Sequence, residues 1–219
     1  MMANEQGCGY FSEDAQSITV NKPGCVVALE TLKRLTDAGV LAAGNWDEKI
    51  QSNNAGTVAT QMYGGWYEGT VRSTAPEDQA GKWGVYPMPS VTADGSHAAN
   101  LGGSSLAIAS SSDSKEAAFA FLKHALVTNE GQVKMLKEYG LVPSLLTAIE
   151  DPYVAEAQPF WGGQAVWQTI LEPLPRVAPS RGTAFFGDAD GIMRTVQTGY
   201  LSGSYDSAQA ALDDAAHQI

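Results

Sequence analysis

Histidine and cysteine are scarce in this sequence. Three histidines (His97, His124, His217) are scattered through 219 residues, and the two cysteines, Cys8 and Cys25, lack the Cys-x-x-Cys spacing. A zinc site therefore has almost no ligands to draw on. Basic residues are in deficit too: 13 Lys and Arg against 24 Asp and Glu leave a net charge of -11 with no basic block. Such a chain repels a phosphate backbone, which argues against nucleic acid as a partner. Long apolar runs are also missing. The longest uncharged stretches, such as Ala98 to Ser112, are broken by Gly, Asn and Ser, and none supplies the ~20 apolar residues of a membrane span. Met1-Met2-Ala3-Asn4-Glu5-Gln6 has no basic start followed by an apolar run, so no secretory signal is expected in these residues. Either the protein is cytosolic, or the front end of an exported form lies outside this sequence.

Several chemical signatures are absent as well. No Gly-x-x-x-x-Gly-Lys-Ser/Thr loop occurs and no Gly-x-Gly-x-x-Gly follows a strand, so nucleotide chemistry has no cradle and no cofactor is expected. The nearest approach to Gly-x-Ser-x-Gly is Gly102-Gly103-Ser104-Ser105, which lacks the second glycine of a nucleophile elbow. Gly187-Asp188-Ala189-Asp190-Gly191 has its glycine misplaced for a calcium loop and reads better as a helix start. Among the acids, no local spacing singles out a glycosidase pair.

What is present is enough for a core: 44% of the residues are hydrophobic. Tyr10-Phe11 and Ser17-Ile18-Thr19-Val20 flank a polar turn and predict a small hairpin. Asn21-Lys22-Pro23 opens a helix that runs to Gly39. Trp46 to Ile50 predicts a short helix, Gly56 to Met62 a strand, Gly81 to Tyr86 a strand stopped by Pro87 and Pro89, and Leu106 to Ala109 a buried strand. Asp113-Ser114-Lys115-Glu116 carries a capping signature for a helix with Ala118, Phe121, Leu122 and Ala125 on its apolar face. A second helix follows from Thr128 to Gly140. Beyond Pro143, prolines cut the chain into short pieces, with helices predicted over Gln164 to Leu171, Asp188 to Leu201 and Asp206 to Ile219. A Cys8 to Cys25 bridge would stabilise by about 3 kcal/mol in an oxidising compartment. Two buried free thiols fit the sequence equally well.

The positive chemical signal is aromatic. Of Trp46, Trp66, Trp83, Trp161 and Trp167, two sit beside paired glycines, Trp66 after Gly64-Gly65 and Trp161 before Gly162-Gly163. Small neighbours expose a ring face, on which the flat apolar side of a sugar can lie. The plainer reading of any single tryptophan is core packing. For these two the glycines favour the exposed alternative.

The order of blocks then carries a resemblance. The blocks are Ala28-Leu29-Glu30-Thr31-Leu32-Lys33 with Asp37-Ala38-Gly39, Ala55-Gly56-Thr57-Val58-Ala59 leading to Gly65-Trp66-Tyr67, and Gly81-Lys82-Trp83-Gly84-Val85-Tyr86-Pro87-Met88-Pro89. Gly102-Gly103-Ser104-Ser105-Leu106-Ala107-Ile108 and a helix pair ending Glu138-Tyr139-Gly140-Leu141-Val142-Pro143 follow. Together they resemble the C-terminal portion of bacterial extracellular solute-binding proteins of the maltose-binding-protein-like family, nearest the lactose- and arabinoside-type members. The resemblance implies an α/β fold of the type II periplasmic-binding kind, with two lobes that close over a sugar. Residues 1–88 and 146–219 would belong to the C-terminal lobe and 89–145 to a segment returning to the N-terminal lobe, most of which would lie outside this sequence. It implies no catalysis but binding of a di- or oligosaccharide, delivery to an ABC transporter permease, and a periplasmic or extracellular location for the full-length protein. The rival is a carbohydrate-active hydrolase, a glycosidase or esterase. Trp66, with Gly65 and Tyr67, would be the stacking element, Gly102, Gly103 and Ser104 the facing loop, and Trp161 and Gln164 a further part of the sugar site. Export implies a Cys8–Cys25 disulfide. Exposed apolar residues Leu101, Leu106, Ile108, Phe119, Phe121 and Leu122 imply self-association.

Overall fold

A computed structural model describes residues 1–179 and 182–219. Among them lie nine α-helices: α1 Met2–Glu5, α2 Pro23–Asp37, α3 Trp46–Asn54, α4 Tyr67–Thr74, α5 Lys115–Val127, α6 Asn129–Tyr139, α7 Val166–Leu171, α8 Phe186–Leu201 and α9 Ala208–Gln218. The chain divides into two compact units. One comprises Met1–Ala43, Met88–Asn100 and Pro175–Ile219, the other Gly44–Pro87 and Leu101–Leu174.

In the first unit, α2, α8 and α9 pack around Val20, Cys25, Leu29, Val196, Ala211, Leu212 and Ala215. Pro23 stands at the first position of α2, where its missing N–H costs nothing. Ser207 caps α9 by accepting from the Ala210 amide. Cys8 is joined to Cys25 by a disulfide, which ties the segment after α1 to the buried face of α2. Between them, Phe11 and Ile18 make an antiparallel bridge at the predicted hairpin. The loop 90–97 is fastened by buried Glu5: Ser90 Oγ donates to Oε1 at 3.0 Å and the Val91 amide to Oε2 at 3.4 Å. Burial alone would raise the Glu5 pKa, but hydrogen bonds from Gln6, Ser90, Val91 and His97 hold it below the ordinary glutamate range.

The second unit is built on Tyr67, Val71, Leu136, Trp161, Val166, Trp167 and Leu171. Thr128 Oγ1 caps α6 by accepting from the Gly131 amide at 3.1 Å, and Gly140 ends the helix at φ 69°. Helix α5 lies against α6 at Gly131, where a Cβ would run into the His124 and Ala125 carbonyls.

Three predictions are corrected. The segments 56–62, 81–86 and 106–109 form no strands; among the described residues the only β pairing is two isolated bridges, Phe11 with Ile18 and Gln158 with Gln164. A strand exists only through its partner, and alternation in the sequence shows an extended tendency without supplying that partner. The α/β expectation is thus met here on its helical side alone. Leu106, expected in a buried strand, is exposed. Helix α5 begins at Ser114 without a side-chain cap bond and buries none of its residues; Phe119 and Phe121 both face solvent.

Candidate functional site

In the second unit, α3 and α4 bring four aromatic rings together. The chain enters α3 through a capping box in which Asn45 Oδ1 accepts from the Glu48 amide at 3.0 Å and Glu48 Oε2 accepts from the Asn45 amide at 2.8 Å. This fixes Trp46 on the first helical residue. Trp46 lies over Trp66 with centroids 6.0 Å apart and planes 28° from parallel, and meets Tyr63 and Tyr67 edge to face at 6.0 and 5.8 Å. Tyr63 stacks on Tyr67 at 4.4 Å. Behind the rings, the buried Tyr67 hydroxyl accepts from Asn53 Nδ2 at 2.9 Å, and Asn53 Oδ1 accepts from Gln61 Nε2 at 2.9 Å. Burial, with a smaller contribution from Tyr63, pushes the Tyr67 phenol above its ordinary pKa.

Trp66 is held from several sides. Its indole Nε1 donates to the Leu101 carbonyl at 2.8 Å, and a Cβ on Gly102 would stand 2.9 Å from the same nitrogen. Gly64 is pressed on the indole edge in the same way, while a Cβ on Gly65 would strike Ile170 Cγ2. The glycines beside Trp66 therefore serve close packing. Gly102 and Gly103 adopt φ of 114° and 105°, open to glycine and not to other residues. Gly103 and Ser104 are exposed, and among the described residues the backbone groups of Gly102–Ser105 hydrogen-bond to no other part of the chain.

The structure thus gathers Trp66, Gly65, Tyr67 and Gly102 and leaves Gly103 and Ser104 on the adjoining loop. Trp161 and Gln164 are not members of the ring cluster, although Trp161 shares the core with Tyr67. Trp161 is 4% exposed and its Nε1 donates to Glu68 Oε1 at 2.9 Å, so the expectation of an exposed ring there is corrected. Gly162 and Gly163, at φ 64° and 85°, serve the turn that brings Gln164 back to Gln158. Glu68 Oε1 also accepts from Arg72 Nε at 3.0 Å, and Arg72 reaches the Lys137 carbonyl at 3.3 Å, so one buried carboxylate ties α4 to the Trp161 turn and to α6. Gln164 Oε1 accepts from the Val85 amide at 2.9 Å while Nε2 donates to the Val85 carbonyl and to Thr169 Oγ1. Trp167 is core, and Trp83 Nε1 donates to Gln79 Oε1 at 3.1 Å.

Sequence reasoning passed over Trp46 and Tyr63 as members of the cluster. The capping signature Asn45-x-x-Glu48 was a local signal that Trp46 stands at a fixed helix start. Among the described residues no group of three or more His, Cys, Asp or Glu is gathered for a metal ion, and no helix is long and apolar enough to cross a membrane. Rings beside unspent backbone donors and acceptors suit a ligand with an apolar face and a polar rim.

A lactose-binding protein of Rhizobium radiobacter is 32% identical over the whole of this chain and 53% of its own length. An arabinooligosaccharide-binding protein of Bacillus subtilis (strain 168) is 26% identical over the whole chain and 52% of its own length. One from Halalkalibacterium halodurans is 25% identical over 78% of this chain and 40% of its own length. The chain therefore spans about half the length of the curated relatives it matches. The sequence pattern described as bacterial extracellular solute-binding protein matches residues 1–160, nearly three quarters of the chain, and the chain belongs to that family.

Proposed function

We propose that this chain is part of a saccharide-binding protein that works in the periplasm or outside the cell and hands a di- or oligosaccharide to an ABC transporter permease. The observation that carries the reading is the four-ring cluster pinned to the Leu101 carbonyl beside the unspent backbone of Gly102–Ser105. Rings supply stacking for the C–H face of a sugar, and backbone groups supply hydrogen bonds to its hydroxyls. Relatives named for lactose and for arabinooligosaccharides support the ligand class. In this reading Trp66, Tyr67, Gly65 and Gly102–Ser104 form the site, while Trp161 and Gln164 hold its supports in place. Residues 1–88 and 146–219 are assigned to the C-terminal lobe and 89–145 to the segment returning to the N-terminal lobe, and closure of the whole protein desolvates the ligand.

The rival reading, a glycosidase or esterase, would use the same rings. Calorimetric titration with lactose and arabinooligosaccharides, run beside chromogenic glycosides and esters, separates the two. Binding without turnover is expected; turnover would establish the hydrolase.

A further inference from the structure

We infer that Trp46, rather than Trp66, carries the free stacking face of the ring cluster and is the ring a bound saccharide covers; this rests on the saccharide reading above. Trp66 is enclosed. Its N–H is spent on Leu101, Gly64 and Gly102 press on its edge, Tyr63 and Tyr67 meet it at steep angles at 5.7 and 6.0 Å, and Trp46 lies over it. Trp46 differs on both counts that matter for a sugar. It is 43% exposed, the most exposed of the four rings, and among the described residues its indole N–H has no hydrogen-bond partner. It therefore offers exposed ring surface and a donor from one rigid group.

Rigidity matters because a ring ordered only on binding would lose affinity to that ordering. Trp46 is ordered in advance: the Asn45–Glu48 capping box fixes the backbone beneath it, and three ring contacts fix the indole. The competing arrangement makes Trp46 a placeholder that swings away so that the sugar stacks on Trp66. That movement would break all three contacts before the ligand made its own.

Two measurements on the 219-residue chain separate these arrangements. Trp46→Ala should weaken binding of lactose or arabinooligosaccharide roughly ten-fold, the scale of one lost stacking contact, while Trp46→Tyr keeps most of the affinity. In the unsubstituted protein, the circular-dichroism couplet of the Trp46–Trp66 indole pair should persist when the site is saturated. Unchanged or tighter binding by Trp46→Ala, or collapse of the couplet on saturation, overturns the inference and leaves the saccharide reading standing. If the unsubstituted chain binds neither sugar, both fall together.

Discussion

Replacing Glu68 by alanine tests whether one buried carboxylate holds the aromatic helix in place. Glu68 is almost fully buried and accepts from both Trp161 Nε1 and Arg72 Nε. Truncation leaves the buried indole N–H without an acceptor, at about 1–3 kcal/mol. The cavity left by its one lost methylene adds roughly 1 kcal/mol. Loss of the Arg72 partner adds little, because that side chain is 34% exposed and water replaces the carboxylate. The total is about 3 kcal/mol. Glu68→Gln retains an acceptor for Trp161 and should cost about 1 kcal/mol. Urea denaturation followed by tryptophan fluorescence measures both variants, and a double-mutant cycle with Trp161→Phe isolates the pair, with coupling of about 1–2 kcal/mol expected. A Glu68→Ala midpoint within about 0.5 kcal/mol of the parent would show that the carboxylate is not the tie.

Reducing the Cys8–Cys25 bond should lower stability by about 3 kcal/mol, since it closes a loop of 17 residues in sequence; thiol titration of the denatured, unreduced protein should find no reactive thiol, and two would refute the bond. Because the Glu5 pKa is depressed in the fold, its contribution is present above the unfolded-state value and is lost as pH falls through the folded one. Acid titration should therefore loosen loop 90–97 below the ordinary glutamate range, and Glu5→Gln should flatten that part of the stability curve. Phe119 and Phe121, each 63% exposed on α5, should drive self-association at high concentration, reduced by Phe119→Lys with Phe121→Lys; light scattering that finds a clean monomer of the parent would contradict this.

Helix limits were legible where the signal was local. Pro23, Thr128 and Gly140 stand at the helix ends their chemistry predicts, because caps and stops act within a turn of the chain. Pairing is not local, so Gly56 to Met62 and Gly81 to Tyr86 looked like strands without any means of naming a partner. The site shows the same divide. Trp66 was singled out for an exposure that its packed glycines do not provide, and Trp161 was misjudged because Gly162-Gly163 is the requirement of a turn. Trp46 stands 20 residues before Trp66, and only the packing of α3 beside α4 reveals that the two indoles meet.

The bond pair between Gln164 and Val85 sets what position 164 tolerates. One side chain presents an acceptor and a donor to the N–H and C=O of a single residue, as an adjacent antiparallel strand would. Glutamate has the length but no hydrogen to give, and would set a negative charge against the Val85 carbonyl. Asparagine has both groups but falls one methylene short. Lysine and arginine can only donate. Glutamine is therefore the one residue type among these that can do the work of a missing neighbour strand here, so its retention among relatives would report on the shape of the chain at Val85.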